Sequence, residues 1–238
     1  MSLTFLQIDP EAALQAAEVV PQQEELSFSL ISMAAKGGWL MIVLLLLSIA
    51  AIYIFGKKLW SINQAAKIDR NFIKDINDYI LDGKVRSAKA LCQRSTSPIA
   101  RMVEKGIARL DKPLPDIQAA VENVGNLEVA RLEKGLPILA AIAGGAPMIG
   151  FLGTVMGMVQ AFFNMAKAGN NVDISLLSGG IYTAMITTVG GLIVGILAYF
   201  GYNFLSARIS DVVFKMENTT IEFLDTVLEK KERTGEEE

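Results

Sequence analysis

The sequence predicts an all-α integral membrane protein with three transmembrane helices and long helical extensions in the cytosol. The 238-residue chain has a mean hydropathy of +0.39 and is 52% hydrophobic, which is too apolar for an ordinary soluble domain of this length. Three long runs contain no Asp, Glu, Lys or Arg. The segments between and after these runs repeat apolar residues at helical spacing, which indicates amphipathic helices rather than strands.

The uncharged runs are residues 37–56, 135–166 and 174–207, and charged residues lie directly outside each of them. A bilayer core of about 30 Å requires about 20 helical residues, so each run is long enough to cross it. The second and third runs are longer than a span requires, and we expect them to tilt or to project beyond the membrane. A buried core helix of a soluble protein is the alternative, but three runs of this length argue against it.

The positions of Lys and Arg predict the orientation of the spans, because cytoplasmic flanks carry an excess of these residues. Only one basic residue, Lys36, directly precedes the first run. Five basic residues follow it: Lys57, Lys58, Lys67, Arg70 and Lys74. Arg131 and Lys134 precede the second run, and Arg208 and Lys215 follow the third. The pattern places the N-terminus outside and the C-terminus inside.

This orientation divides the chain into seven parts. They are an extracytoplasmic N-terminal segment (1–36), the first span (37–56), a cytosolic helical domain (57–135), the second span (136–164), an extracytoplasmic loop (165–175), the third span (176–206), and a cytosolic helix with a disordered tail (207–238). Residues 10–20 fit a short amphipathic helix on the outer surface, which Pro21 would end.

The cytosolic domain begins with apolar residues at helical spacing from Phe72 to Ile80, and Gly83 interrupts that pattern. Ser97 and Pro98 fit an N-cap followed by proline in the first turn of the next helix. Another helix starts near Pro115 with no clear stop before the membrane, and its charges, including Glu122, Glu128, Arg131, Glu133 and Lys134, suit a solvated stalk. Pro137 and Pro147 would kink it.

After the third span, apolar residues continue three and four positions apart. They form a seam for another helix: Ile209, Val213, Met216, Thr220, Phe223 and Val227. The final stretch "ERTGEEE" has no apolar anchor, and we expect it to be disordered.

The second and third spans each carry one face of small residues. On the second span they are Gly150, Gly153, Thr154, Gly157 and Ala161, and on the third they are Ala184, Thr188, Gly191, Gly195 and Ala198. Lipid tails give helices no hydrophobic reason to associate, so close packing depends on such residues. The glycines therefore allow the two spans to approach each other, or copies of themselves in an oligomer.

Four threonines lie on or beside these faces: Thr154, Thr183, Thr187 and Thr188. A lone threonine in a membrane helix usually donates to its own preceding turn and needs no function. Two hydroxyl-bearing faces among small residues, however, fit a narrow polar passage. No span contains an ionisable acid or base of the kind that proton relays use, so a conducted proton needs a carboxylate from a partner.

No enzyme pattern is present in the sequence. There is no histidine, no P-loop, no Gly-x-Ser-x-Gly and no pair of carboxylates in a span, so we expect neither catalysis nor a cofactor or metal. The single cysteine, Cys92, cannot form an intrachain disulfide. The net charge of −3 gives no reason to expect nucleic-acid binding.

The stretches "GFLGTVMGMVQAF" and "GGIYTAMITTVGGLIVGILAYFGYN" resemble the second and third spans of the MotA/TolQ/ExbB proton-channel family. The resemblance implies a homo-oligomer, typically a pentamer, around the single-span helices of an ExbD- or TolR-like partner whose membrane aspartate carries the proton. A TonB- or Tol-like protein would transmit the motion to the outer membrane of a Gram-negative bacterium. The family's two pore threonines correspond to Thr154 and Thr188, and Thr183 and Thr187 are further candidates for the pore lining.

Three spans with an outer N-terminus favour the ExbB or TolQ branch over MotA, which has four spans. ExbB and TolQ proteins usually carry a glutamate where this chain has Thr183, and a proline where it has Leu197. The alternatives are a TolQ-like or motility subunit and a non-conducting scaffold, and hydroxyl ligands suit sodium as well as protons. We expect the small faces to line a central cavity, with the leucine-rich first span outside against lipid.

Overall fold

The computed structural model describes residues 37–67, 71–168 and 174–235, and the helix expected at residues 10–20 lies outside them. Within these ranges the chain consists of α-helices without any β-strand. The seven helices are α1 (Trp39–Ala66), α2 (Phe72–Leu81), α3 (Val85–Arg94), α4 (Pro98–Ile107), α5 (Leu114–Glu133), α6 (Leu136–Ala168) and α7 (Ile174–Thr234). The prediction of an all-α protein is confirmed.

Three stretches of helix are long and apolar enough to cross a membrane: α1, the joined α5 and α6, and α7. The longest is α7, whose 61 residues form one helix of about 90 Å at the usual rise per residue. This length is about three times the thickness of a bilayer core, so about one third of α7 is enough to cross a membrane. The prediction of three candidate spans is therefore confirmed.

The part of the chain outside the apolar spans forms a helical domain built from α2 to α5 and the second half of α7. Its core contains Ile76, Val103, Ile117 and Phe223, each almost fully buried. The close approach of α4 and α7 depends on Gly106, because a Cβ at that position would lie 2.7 Å from Cζ of Phe223. The C-terminal half of α7 is thus the central helix of this extramembrane domain.

The seam expected on α7 lies against this domain. Ile209, Met216, Phe223 and Val227 are buried there, while Val213 and Thr220 are half-buried at its edge. The turn expected at Gly83 is also present, and the glycine has a φ of 71°, a left-handed conformation that residues with a Cβ rarely adopt. Pro98 opens α4 as expected, but Ser97 makes no capping hydrogen bond with its side chain.

From the sequence we expected one helix to run without a stop from Pro115 into the membrane. That expectation was wrong, because the helix is interrupted at Lys134 and Gly135. Gly135 has a φ of 98°, and Pro137, which lacks an N–H, follows in the first turn of α6. Lys58 of α1 donates from its ammonium group to the carbonyl oxygens of Arg131 and Leu132, both at 3.1 Å. These carbonyls lie in the last turn of α5, where they have no intrahelical partner.

Two further sequence expectations were wrong. Glu128 does not lie on a solvated stalk: it is 5% exposed and forms ion pairs with Arg101 at 2.8 Å and with Arg131 at 2.5 Å. A buried carboxylate requires such partners because water no longer solvates it.

The C-terminal stretch was expected to be disordered from Glu232, but it is helical through Thr234. Arg233 pairs there with Glu229 one turn earlier, which stabilises the last turn. Residues 236–238 lie outside the described residues.

Replacing Lys58 should destabilise the junction of α1, α5 and α6. The variant Lys58→Met keeps the apolar stem but removes the two hydrogen bonds to the end of α5, and we expect it to lower the free energy of unfolding by about 2 kcal/mol. The midpoint of thermal unfolding in detergent should fall by about 4–8 °C. Lys57→Met is the matched control, because Lys57 lies next to the ring of Tyr53 and makes no bond to α5. Equal midpoints for the two variants would contradict this role.

Candidate functional site

The candidate site lies on the pair formed by α6 and α7. The two helices run antiparallel: moving along α6 from Gly150 to Gly157 and Ala161, the facing residues on α7 descend from Gly191 to Ala184 and Gly180. All of these residues are small, so the register brings the two small faces predicted from sequence together within one chain. This corresponds to the first of the two alternatives that the glycines left open.

The two helix backbones touch along this register. A Cβ built on Gly191 would lie 2.6 Å from the carbonyl oxygen of Ala146, and one on Gly195 would lie 2.5 Å from Cγ of Pro147. A Cβ on Gly150 would lie 3.0 Å from the carbonyl oxygen of Thr187. Gly153 and Gly157 lie in the same contact, against Thr187 and Ala184. Side chains larger than hydrogen at these five glycines would force the helices apart.

Thr188 forms a hydrogen bond between the two helices. Its hydroxyl donates to the carbonyl oxygen of Gly150 at 3.1 Å, and the side chain is half-buried at the edge of the contact. A hydroxyl in a membrane helix usually bonds to the preceding turn of its own helix. The bond across the pair was not foreseen from the sequence, because it depends on the register that places Thr188 opposite Gly150.

The other three threonines differ in position. Thr154 is half-buried and donates to the carbonyl oxygen of Phe151 in its own helix, at 2.6 Å. Thr187 is 1% exposed, lies against Gly153, and donates to the carbonyl oxygen of Ala184 at 2.8 Å. Thr183 is half-buried one turn before it. Thr154 and Thr188 therefore reach the surface of the helix pair, and Thr187 is enclosed within it.

Thr154 and Thr188 lie on the same side of the helix pair. Thr154 follows Gly153 by one residue, and Thr188 follows Thr187 by one residue; both steps rotate the side chain by about 100°. Because the helices are antiparallel, these two rotations point to the same side. We call the surface there the threonine groove. By helical spacing it consists of Thr154 and Thr188 with the exposed side chains of Met158, Met185 and Leu192, which lie three or four residues from them.

Helix α1 lies on the opposite side of the pair. It contacts α7 through Gly190, where a Cβ would lie 3.2 Å from Sδ of Met41, and through Gly201, where one would lie 3.1 Å from Cδ2 of Phe55. Gly190 is two residues beyond Thr188 and thus about 160° away around the helix. Helix α1 therefore leaves the threonine groove uncovered.

This geometry changes one expectation from the sequence. The small faces were expected to line a central cavity as a whole, but their glycines are occupied in the contact between α6 and α7. The physical reason is that only glycine permits backbones to touch, so those positions are the centre of the pair and cannot face a cavity. Only the edge of the small faces reaches the surface of the α6–α7 pair, and Thr154 and Thr188 lie at this edge.

The threonine groove is electrically neutral. There is no Asp, Glu, Lys or Arg in residues 136–166 or 174–207. Both hydroxyl protons are used in hydrogen bonds to backbone carbonyls, which leaves the oxygen lone pairs as acceptors. The groove can therefore accept hydrogen bonds from water or from a protonated carboxylic acid, but its own side chains cannot take up and release a proton.

The region that holds these features matches a known family model. Residues 94–218 match the model of the MotA/TolQ/ExbB proton channel family, and this range includes α5, α6, the threonines and most of α7. The chain belongs to this family. The match confirms the resemblance drawn from the motifs at residues 150–162 and 179–203, and it makes the protein a member of a channel family rather than of an enzyme family.

Curated relatives in this family come from diverse organisms. An ExbB homologue named as a biopolymer transport protein in Methanothermobacter thermautotrophicus is 28% identical over 193 residues, which cover 79% of this chain and 67% of the relative. The biopolymer transport protein ExbB of Neisseria gonorrhoeae is 30% identical over 151 residues, covering 60% and 67%. The Tol-Pal system protein TolQ of Haemophilus influenzae is 35% identical over 106 residues, covering 44% and 46%.

Proposed function

We propose that this chain is the ExbB-like subunit of a proton-driven motor in the inner membrane of a Gram-negative bacterium, where it couples the proton-motive force to TonB-dependent transport across the outer membrane. The observation that carries the proposal is the threonine groove: two hydroxyls on one side of the α6–α7 pair, in an uncharged surface that α1 leaves open. The N-terminus faces the periplasm, and the extramembrane domain lies in the cytosol, as the Lys and Arg flanks favour.

In this proposal several copies, typically five, surround the single-span helices of an ExbD- or TolR-like partner. Helix α1 lies outside against lipid, since it exposes a large leucine and isoleucine surface, including Leu45, Leu46 and Ile49. The threonine grooves face the centre. The partner supplies the membrane aspartate that this chain lacks, so each copy offers hydroxyl acceptors and the partner carries the proton.

The chemistry of the groove suits a proton that moves on a carboxyl group. A protonated aspartic acid can donate its O–H to the oxygen of Thr154 or Thr188, whose own protons are bound to backbone carbonyls. A hydroxyl stabilises the neutral acid without holding a charge, so the acid can pass on and release its proton. Moving one charge across 100 mV supplies about 2.3 kcal/mol, so a few protons suffice for a conformational step.

Helix α7 connects this chemistry to the cytosolic domain. It runs without a break from the groove to Thr234, and its second half is buried in the extramembrane domain at Phe223 and Val227. A displacement of α7 at Thr188 is therefore transmitted along one rigid helix. In the proposed motor this helix, together with the partner's, passes the motion to a TonB-like protein.

A TolQ-like role is the second candidate, and the identity of 35% to the TolQ protein of Haemophilus influenzae supports it. The channel chemistry would be the same, and only the protein that receives the motion would differ. Deleting the chain separates the two roles: an ExbB-like subunit predicts loss of TonB-dependent uptake with an intact envelope, and a TolQ-like subunit predicts a leaky, detergent-sensitive envelope with uptake retained.

Ion conduction should require a partner with a membrane aspartate. We expect no proton flux from the purified chain alone in liposomes, and flux after co-reconstitution with a single-span protein that has an aspartate in its span. Changing that aspartate to asparagine should leave the complex assembled and stop the flux. Conduction by the chain alone at the rate of the complex would contradict the proposal, because no described side chain of its spans can carry the proton.

A further inference from the structure

An apolar cavity lies between α1 and α7, with the buried Leu139 of α6 at its inner side. Its volume is about 410 Å³, which is within the range of small-molecule sites. Ser48 of α1 is the only lining residue with a polar side chain. Three lining side chains, Ile52, Leu197 and Phe200, are each about two thirds exposed, so the cavity opens to the surface of the helices. We call it the α1–α7 cavity.

The α1–α7 cavity lies within one half of the membrane-spanning region. Its lining residues fall within residues 48–55 of α1 and 194–204 of α7, which correspond to about 10 Å and about 15 Å along the helix axes. A single leaflet contributes about 15 Å of the bilayer core. Both segments belong to the second half of their uncharged runs, and the two helices run parallel. The cavity therefore lies in the leaflet in which both runs end at basic residues.

The cavity is on the side of α7 that faces away from the threonine groove. At 100° per residue, Leu197 and Phe204 lie about 160–180° from Thr188 around the helix axis. In the oligomer of the proposed function the threonine groove faces the centre, and the cavity then opens toward the lipid outside. The material that surrounds the opening is therefore the membrane itself.

Arg208 lies directly beyond the end of the cavity. Leu197, Gly201, Phe204 and Arg208 follow one another four, three and four residues apart, so Arg208 continues the line of lining residues by one turn. Helical side chains lean toward the N-terminus of their helix. The guanidinium carbon of Arg208 accordingly lies over the ring of Phe204, 5.4 Å from its centroid. The positive charge is thus held at the mouth of the cavity.

This charge has no carboxylate partner within the described part of the chain. None of the ion pairs there involves Arg208, and Asp211 lies three residues further from the membrane. Lys58, one turn beyond Phe55 on α1, adds a second positive charge, and its hydrogen bonds go to uncharged carbonyl groups. Trp60 is 71% exposed at about this level, where tryptophan marks the lipid headgroup region. The mouth of the cavity therefore suits an anion at headgroup depth.

The two parts of the site together indicate one class of ligand. A free phosphate ion would pair with Arg208 but would leave the apolar cavity empty. An uncharged apolar molecule would fill the cavity but would leave the guanidinium group without an anion. An anionic phospholipid satisfies both parts, because its acyl chain is apolar and a guanidinium group matches the geometry of its phosphate. Basic pockets between membrane helices on the cytoplasmic side bind such head groups.

We propose that one anionic phospholipid binds each chain, with an acyl chain in the α1–α7 cavity and its phosphate on Arg208. The inference rests on the proposed function for its orientation, which places the site in the cytosolic leaflet at the outer surface of the oligomer. A lipid in this position contacts α1 and α7 at once and holds the first span against the helix that carries Thr188.

Native mass spectrometry of the detergent-solubilised oligomer tests the charged part of the site. Phosphatidylglycerol and phosphatidylcholine with the same acyl chains are the probes, and we expect the natural chain to retain one phosphatidylglycerol per copy in preference to phosphatidylcholine. Arg208→Gln should weaken the retention of phosphatidylglycerol about fivefold and remove the preference. Lys215→Gln is the matched control, because it removes the same charge from the same face of α7 about 10 Å further from the membrane. It should retain the lipid.

A second variant tests the apolar part. Ser48→Phe fills the cavity and should reduce the retention of both lipids, whereas Ile49→Phe, at an exposed neighbouring position outside the lining, should not. Unchanged oligomer mass and helical circular dichroism show that each variant is folded. Equal retention of the two lipids by the natural chain, or an unchanged preference in Arg208→Gln, would overturn the proposal.

One further variant distinguishes a lipid from a second copy as the occupant. Ile52→Cys at the rim should give no covalent dimer on oxidation in membranes, and efficient cross-linking would mean that another chain covers the cavity. The native thiol does not compete, since Cys92 is 2% exposed and burial raises its pKa to about 12. None of these readouts uses ion flow, so a failure of the lipid site is distinguishable from a failure of the proposed channel.

Discussion

Thr188→Val should abolish ion-driven activity while leaving the amount of assembled protein close to that of the natural chain. Valine has the shape of threonine but offers no acceptor to water or to a partner's carboxyl group. The variant also loses the bond to Gly150, which costs about 1 kcal/mol in a membrane helix pair. That loss is small beside the backbone packing of α6 and α7, so function should fall much further than assembly.

Thr154→Val should have the same functional effect at a still smaller structural cost. Its hydroxyl bonds only to Phe151 in its own helix, so no contact between helices is lost. Thr154→Ser and Thr188→Ser keep the hydroxyl, and we expect both to retain part of the activity. The measurements are TonB-dependent uptake in cells and, in parallel, the yield of oligomer from their membranes.

Thr187→Val is the matched control for these variants. Thr187 neighbours Thr188 in sequence, but it is enclosed between the helices and bonds to Ala184 in its own helix. The groove account therefore predicts near-normal activity for this variant. A scaffold account predicts a different order: valine at positions 154 and 188 would be tolerated, and any loss of activity would follow a loss of oligomer.

The second large effect is expected at Gly191. A Cβ there would lie 2.6 Å from the carbonyl oxygen of Ala146 and 2.8 Å from Cα of Gly150, and backbone atoms cannot move aside as a flexible side chain can. Gly191→Ala should therefore separate α6 from α7 and lower stability by about 3 kcal/mol, and Gly191→Leu should prevent folding. The yield of monodisperse protein and its thermal midpoint measure the effect.

Gly144→Ala is the control for crowding at Gly191. It lies in α6, and a Cβ there would have no atom within 4 Å apart from those of its chain neighbours and of the backbone of its own helix, so alanine should be neutral or slightly stabilising as a better helix former. Equal stability of Gly191→Ala and Gly144→Ala would mean that the α6–α7 contact is looser than the structure has it. The Thr188 bond to Gly150 would then lose its structural basis.

Much of the fold followed from local patterns in the sequence. The three spans were predicted from uncharged length alone, and the turn at Gly83 from a glycine that interrupts an apolar period. The membrane makes such patterns reliable, because every lipid-exposed backbone group must be satisfied within its own helix. The motifs around Thr154 and Thr188 likewise led to the family that the comparison confirmed.

The errors concern contacts between distant parts of the chain. The stop at the end of α5 coincides with a local signal, Gly135 followed by Pro137, but the hydrogen bonds to its last carbonyls come from Lys58, which lies 73 residues before Arg131. The burial of Glu128 depends on Arg101 of another helix. The different environments of Thr187 and Thr188 depend on how α6 and α7 are aligned. Helical periodicity along a single segment contains none of this information.

In the proposed motor, protons pass by the hydroxyls of Thr154 and Thr188. The measurement is proton flux into liposomes that contain the complex of this chain with its aspartate-bearing partner, under an imposed membrane potential and at matched oligomer content. We expect flux for the natural chain and for Thr187→Val, and none for the chain that combines Thr154→Val with Thr188→Val. Undiminished flux in that double variant would contradict the proposed role of the two hydroxyls.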